Sequence, residues 1–213
     1  EILLQGLLFQ VPHWYNLPEE YEKQLLHELK AASLIDRKQI KLVRNKKQDL
    51  LLNQSLGKLN AVREIFKAEY QALGSQLRQL VLTDYIRQDF EVHLGDKDAQ
   101  FTQLGVLSYF ESIRRESMEL TTPPAIAVLT GSIVIIPTIA KPRLEELLGG
   151  NRLTYQNVGQ LSPDDFLKVR LVGSQHDLVT AVTQLFQEGF IQVVIGTKSL
   201  LGEGWDAPCV NSL

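Results

Sequence analysis

The segment Gly196-Thr197-Lys198-Ser199-Leu200-Leu201-Gly202-Glu203-Gly204-Trp205-Asp206-Ala207-Pro208 carries the residue types best suited to chemistry. Its three glycines permit positive φ angles and a close approach of backbone to ligand. Thr197 follows the strand-like run Ile191–Ile195 and offers a hydroxyl and an amide suited to a phosphate oxygen. Asp206 is a lone acid two residues past Gly204, suited to accept hydrogen bonds from vicinal sugar hydroxyls. The same residues also make a plain glycine-rich strand-to-helix connection. Two further turns follow strand-like runs: Thr83-Asp84-Tyr85 after Leu80–Leu82, and Thr130-Gly131-Ser132 after Ala125–Leu129.

Several chemistries are excluded by spacing. The phosphate loop G-x-x-x-x-G-K-[ST] is absent: Gly202 comes six residues after Gly196, and Glu203 stands where lysine is needed. Gly57-Lys58 has no glycine at the right distance before it, and Leu59 follows. No G-x-G-x-x-G follows a strand, so neither a complete triphosphate site nor a dinucleotide site is encoded. His13, His27, His93 and His176 are scattered without metal-ligand spacing, and no metal site is expected. Ser132 lacks a base partner in sequence, and no G-x-S-x-G elbow occurs. Trp205 is expected to anchor its loop to the core, and Cys209, the lone cysteine, to be a small buried residue.

The elements that must hold these turns follow from periodicity. A helix starting near Pro18 shows Tyr21, Leu25, Leu29 and Ala32 on one face. Arg37, Lys38, Lys41, Arg44, Lys46 and Lys47 follow as a basic stretch, with an extended segment around Ile40–Val43. A second helix is predicted from an N-cap at Ser55 to a stop at Gly74, with Leu59, Val62, Phe66 and Leu73, and Ile65 and Tyr70 beside them, as its packing stripe. Beyond it, apolar strands alternate with amphipathic helices: strand 80–82, helix 104–116, strand 125–129, apolar run 133–136, helix 142–148, strands near 153–158 and 166–172. Ser174 opens a last helix with Asp177 in a capping-box position, and Gly189 closes it before strand 191–195. This grammar predicts an α/β fold with a parallel sheet covered by helices. Ligands then belong at the carboxyl ends of the strands.

Composition sets the outer limits. The 213 residues are 44% hydrophobic and 22% charged, which excludes a disordered or collagen-like chain. The longest aliphatic run, Ile133–Ile136, is far short of a membrane span. No signal-like leader is seen and one cysteine allows no internal disulfide, so a cytoplasmic location is expected. The net charge of −3 argues only weakly against nucleic acid, because phosphate binding needs a local track and not a basic total. The chain starts at Glu1 and stops inside an apolar run at Leu213, and is expected to be a piece of something longer.

The block from Val193 to Pro208 resembles motif V of superfamily-two helicases and DNA translocases: a strand, a threonine, a short loop and Gly-x-Asp-x-Pro. Its extended form GTKSLLGEGWDAPCVNSL is similar to a bacterial branch of DEAD/DEAH-type helicase-like proteins related to restriction-enzyme motor subunits. LVLTDYIR at 80–87 resembles motif IV, AVLTGS at 127–132 occupies the place of the next strand and turn, and SLGKLNAVREIFKAEY at 55–70 looks like the helix leading into the second RecA-like lobe. The likeness covers roughly residues 50–213.

The resemblance implies a linker segment over 1–53, partly helical, and over 54–213 a C-terminal RecA-like lobe of a P-loop NTPase, truncated after motif V. ATP and Mg²⁺ would be held mainly by a first lobe, and DNA or RNA would be bound through its phosphate backbone. By the resemblance, Thr197 would contact a nucleic-acid phosphate, while Gly204 and Asp206 would face the ATP cleft, Asp206 toward the ribose. Thr83, Asp84 and Tyr85 would contact the nucleic-acid backbone, with Gly131 and Ser132 a further contact. Lys198 and Glu203 receive no role. No catalytic residue falls in this chain, which would be inactive alone. The competing expectation is a RecA-like lobe used as a non-catalytic scaffold or protein-interaction module. An unrelated sugar-nucleotide enzyme would need a second glycine-rich strand–loop–helix, which is not found.

Overall fold

A computed structural model describes residues 2–9, 17–32, 34–40, 56–101, 103–202 and 205–213. The chain divides between Gln54 and Ser55 into two compact units. The first unit contains helices α1 (Ile2–Leu8) and α2 (Glu19–Ala31) and a small antiparallel hairpin, β1 (Ile35–Asp36) with β2 (Gln39–Ile40). Arg37 and Lys38 form its two-residue turn, both at positive φ, the backbone that tight hairpins require. The Gln5 amide clamps the hairpin, donating to the Lys38 carbonyl and accepting from the Ile40 amide. The apolar face of α2 is Leu25, Leu26 and Leu29; Tyr21 and Ala32, expected on that face, are exposed. Lys41, Leu42, Val43, Arg44, Lys46, Lys47 and the expected N-cap Ser55 lie outside the described residues.

The second unit holds α3 (Leu56–Leu73), α4 (Val106–Ser117), α5 (Lys141–Leu148), α6 (Gln175–Glu188) and α7 (Lys198–Leu201). Among the described residues six strands form its sheet: β3 (Gln79–Thr83), β4 (Ile126–Leu129), β5 (Val134–Pro137), β6 (Leu153–Gln156), β7 (Phe166–Leu171) and β8 (Val193–Thr197). Their order across the sheet is β3-β8-β4-β5-β7-β6. On α3 the expected stripe of Leu59, Val62, Phe66, Tyr70 and Leu73 packs inward, whereas Ile65, expected beside it, is exposed. Strand residues alternate between two cores. Val81, Ile126, Val128, Val193 and Ile195 pack with α3 and α4, while Leu80, Ala127, Leu129 and Val194 pack with α5 and α6. Helices therefore cover both faces, and the strands read as nearly continuous apolar runs for that reason.

The sheet is mixed, which corrects the expectation of an all-parallel one. β3, β8 and β4 are parallel, whereas β4–β5, β5–β7 and β7–β6 are antiparallel. The reversal begins at Thr130-Gly131-Ser132-Ile133, too short a link for the crossover that parallel neighbours need. The Thr130 amide donates to the Ile133 carbonyl (3.0 Å), and the Thr130 hydroxyl oxygen accepts from the Ile133 amide (2.9 Å), closing the turn. The expected capping box on α6 is also absent. The Ser174 side chain makes no cap bond, and the Asp177 carboxylate instead accepts from Arg152 at 3.1 Å. No helix among the described residues is long and apolar enough to cross a membrane.

Two ionic clamps tie helices to the unit. Glu111 of α4 is fully buried and accepts two bonds from Arg114 and one from Arg115, each at 2.8 Å, with the Gly95 amide at 3.3 Å. Arg115 reaches on to the carbonyls of Asp96 and Ala99, so this cluster fastens the 95–99 segment to α4. Replacing Glu111 by Gln removes the only carboxylate of the described residues bound to either guanidinium, and the expected loss is about 3–5 kcal/mol. A shifted urea midpoint at unchanged m-value checks it. On the opposite face, Arg143 of α5 donates twice to Glu188 of α6 and holds its carboxyl down to about 2. A carboxyl with a depressed value stabilises the fold above its ordinary range. That contribution should fade only as pH falls from about 4.5 toward 2. Carboxyl-carbon NMR titration reads this directly, and a Glu188 midpoint near 4.5 would contradict it.

Candidate functional site

The parallel half of the sheet brings three strand ends to one rim. Thr83 ends β3 and lies in register with Thr197, which ends β8; Leu129, ending β4, pairs with Gly196. Strand β8 runs two residues past the expected Ile195, so Thr197 is its last residue and not the first of the loop. Gly196 is required there by contact. A Cβ at that position would stand 2.3 Å from Leu201 Cδ1 and 2.6 Å from the Leu129 carbonyl oxygen. Only glycine lets α7 fold back over the strand end.

Thr197 is 4% exposed, and its hydroxyl oxygen accepts from Ser199 at 3.2 Å. Its neighbour Lys198 is exposed and faces the Asp84 carboxylate of the adjacent strand end at 3.6 Å. Such an exposed pair is worth at most about 1 kcal/mol, so both charges are cheaply released to a ligand. The Gln88 amide donates to the Ser132 hydroxyl at 3.0 Å, linking the segment after β3 to the β4–β5 hairpin. Gly131 beside it faces open space. The structure thus brings Thr83, Asp84, Tyr85, Gly131, Ser132 and Thr197 to the carboxyl ends of neighbouring parallel strands.

Tyr85 and Arg87 are the least ordinary residues of this rim. Tyr85 is 45% exposed, and the Arg87 guanidinium lies over its ring, 5.1 Å from the centroid. Arg87 sits at φ 53°, ψ 69°, a left-handed conformation that costs a non-glycine residue about 1–2 kcal/mol. The surroundings hold it there. The Val106 amide donates to the Tyr85 carbonyl at 2.8 Å, and Gly105 lies against the Arg87 stem, where a Cβ would stand 2.6 Å from Arg87 Cγ. Nε of Arg87 is buried without a hydrogen bond, and no carboxylate among the described residues pairs with the guanidinium. Sequence reasoning gave Arg87 and Gln88 no role. Neither is a residue type that signals a left-handed turn or a bridge between strand ends.

No hydrogen bond or ion pair among the described residues joins Asp206 to Thr83 or Thr197. Its carboxylate is exposed beside α6, in a groove of about 470 Å³ shared with His176, Thr180, Gln187, Glu188 and Trp205. Trp205 fixes the approach, donating its indole N–H to the Thr183 hydroxyl (2.9 Å) and stacking on Phe186. The indole is therefore the anchor expected from its place in the loop. Cys209 is half-buried against the same core, and burial raises its thiol above the ordinary range. Gly204 lies outside the described residues. Among the described residues no group of three or more His, Cys, Asp or Glu could hold a metal ion. Comparison with protein-family models, with curated proteins and with solved structures gives no match.

Proposed function

We propose that residues 55–213 are the second motor lobe of an ATP-dependent nucleic-acid helicase or translocase, with a RecA-like fold. The observation that carries the reading is the shared rim of β3, β8 and β4, where hydroxyls, a guanidinium with no carboxylate partner among the described residues and a loosely paired lysine stand together. Groups of these types bind phosphates irrespective of base sequence. Thr83, Ser132, Lys198 and Arg87 would take the backbone of DNA or RNA. The buried Thr197 hydroxyl, already bonded to Ser199, would act chiefly by fixing the start of the loop.

On the nucleotide side this chain contributes little by itself. The Asp206 carboxylate is exposed and without a hydrogen bond or ion pair among the described residues, which suits acceptance from the two ribose hydroxyls of ATP. Phosphates and Mg²⁺ would be held by a first RecA-like lobe, and hydrolysis of bound ATP would supply the opening and closing that moves the strand. Asp206 orients the nucleotide across that gap and transfers no proton.

A second reading, a non-catalytic scaffold or protein-interaction module, is favoured by one feature at the opposite rim. A cavity of about 640 Å³ is lined by Pro123, Pro124 and Pro137 together with Met118, Ile139 and Phe190, whose side chains are exposed. Exposed apolar patches of this kind commonly meet other proteins.

ATP turnover by the full-length protein, with and without DNA or RNA, separates the two. The motor reading expects stimulated hydrolysis, and Asp206→Ala should raise KM for ATP about 10- to 150-fold, the worth of a charged hydrogen bond of ~1.5–3 kcal/mol. Full activity with unchanged KM in that variant would remove Asp206 from the nucleotide. Nucleic-acid affinity should fall steeply with salt, the logarithm of the binding constant dropping by about 0.7–0.9 per phosphate engaged for each decade. A flat salt response, or no hydrolysis at all, would leave the scaffold.

A further inference from the structure

We propose that Tyr85 and Arg87 form a two-part grip for an unpaired nucleic-acid strand, the ring taking a base and the guanidinium the neighbouring phosphate. The proposal deepens the motor reading and rests on it, since it names the form of nucleic acid that the rim engages. Three independent observations support it. Tyr85 stands 45% exposed at the carboxyl end of β3 instead of packing into the core beside it. Arg87 holds its guanidinium over that ring with no carboxylate to neutralise it among the described residues. The backbone keeps Arg87 in a left-handed conformation, with Gly105 making room for its stem. A strained, unpaired cation braced by packing is expensive, and strain of this kind gathers where ligands are held.

The chemistry selects the strand form. In a duplex both faces of each base are already covered by its neighbours, so a base reaches an aromatic side chain only by leaving the stack. In an unpaired strand the face is free, and stacking on a tyrosine ring adds affinity with little dependence on which base is present. A phosphate contact alone would not discriminate, because single and double strands carry the same group. Lys198 and Ser132 on the adjacent strand ends extend the polar track along which the backbone would continue.

The test is equilibrium fluorescence anisotropy of the full-length protein without ATP, using labelled oligo(dT), labelled oligo(rU) and a blunt mixed-sequence DNA duplex of equal length. The wild type should bind the single strands more tightly than the duplex, and the dT and rU arms decide between DNA and RNA. Tyr85→Ala should weaken single-strand binding about 5- to 150-fold and leave the duplex within twofold, while Tyr85→Phe retains the wild-type preference. Arg87→Gly keeps the left-handed turn and removes the cation; it should weaken all ligands and flatten the single-strand salt slope by about 0.7. Equal losses on single strand and duplex in Tyr85→Ala, no loss on either, or an unchanged slope in Arg87→Gly would overturn the grip. If Tyr85→Ala binds single strands normally and its ATP hydrolysis is still stimulated, the grip fails and the motor reading stands. If the wild type binds neither strand and shows no stimulated hydrolysis, both fail.

Discussion

Strand β8 has no free edge: β3 and β4 pair with it in parallel on its two sides, and all five of its residues are buried. That pairing fixes where every other part of the rim can stand. Thr83 is level with Thr197 because the β3–β8 register demands it, and the β4–β5 hairpin emerges beside them because Leu129 is held opposite Gly196. Gly196 then decides what lies above. With the Leu201 side chain and the Leu129 carbonyl occupying the space a side chain would need, the short α7 caps β8 and Lys198 is turned toward Asp84.

Much of this was legible in the sequence, and the gaps have physical reasons. Helical periodicity located α3, α4 and α6, and Gly74 and Gly189 stop α3 and α6 at positive φ as their positions imply. Apolar runs located β3, β4 and β8. Strand direction was not legible, since Ile133–Ile136 is buried on both faces whether it runs parallel or antiparallel to β4. The two-residue turn at Gly131-Ser132 was the available signal. The Ser174–Asp177 spacing misled because Arg152, distant in sequence, competes for the carboxylate. Arg87 was hidden more deeply. Its backbone conformation depends on Gly105 and Val106, which approach only after α4 has packed.

Charge shows the same gap between total and placement. A chain of net charge −3 still offers cations at one rim, because Glu111 absorbs Arg114 and Arg115 in the interior and Glu188 absorbs Arg143 on the opposite face. What is left at the ends of β3 and β8 is Arg87, with no acid among the described residues, and Lys198 in an exposed pair with Asp84 at 3.6 Å. Local accounting of this kind describes an anion-binding surface better than the sum over the sequence does.

The chain reversal at Gly131-Ser132 also divides the margins of the sheet unevenly. Along β5, β7 and β6 neighbouring strands run in opposite senses, so strand beginnings and endings alternate on either margin. Along β3, β8 and β4 they point one way. One margin therefore gathers three carboxyl ends side by side over half the sheet's width and mixes beginnings with endings over the rest, so the row of turns that follows parallel strands stops at β5.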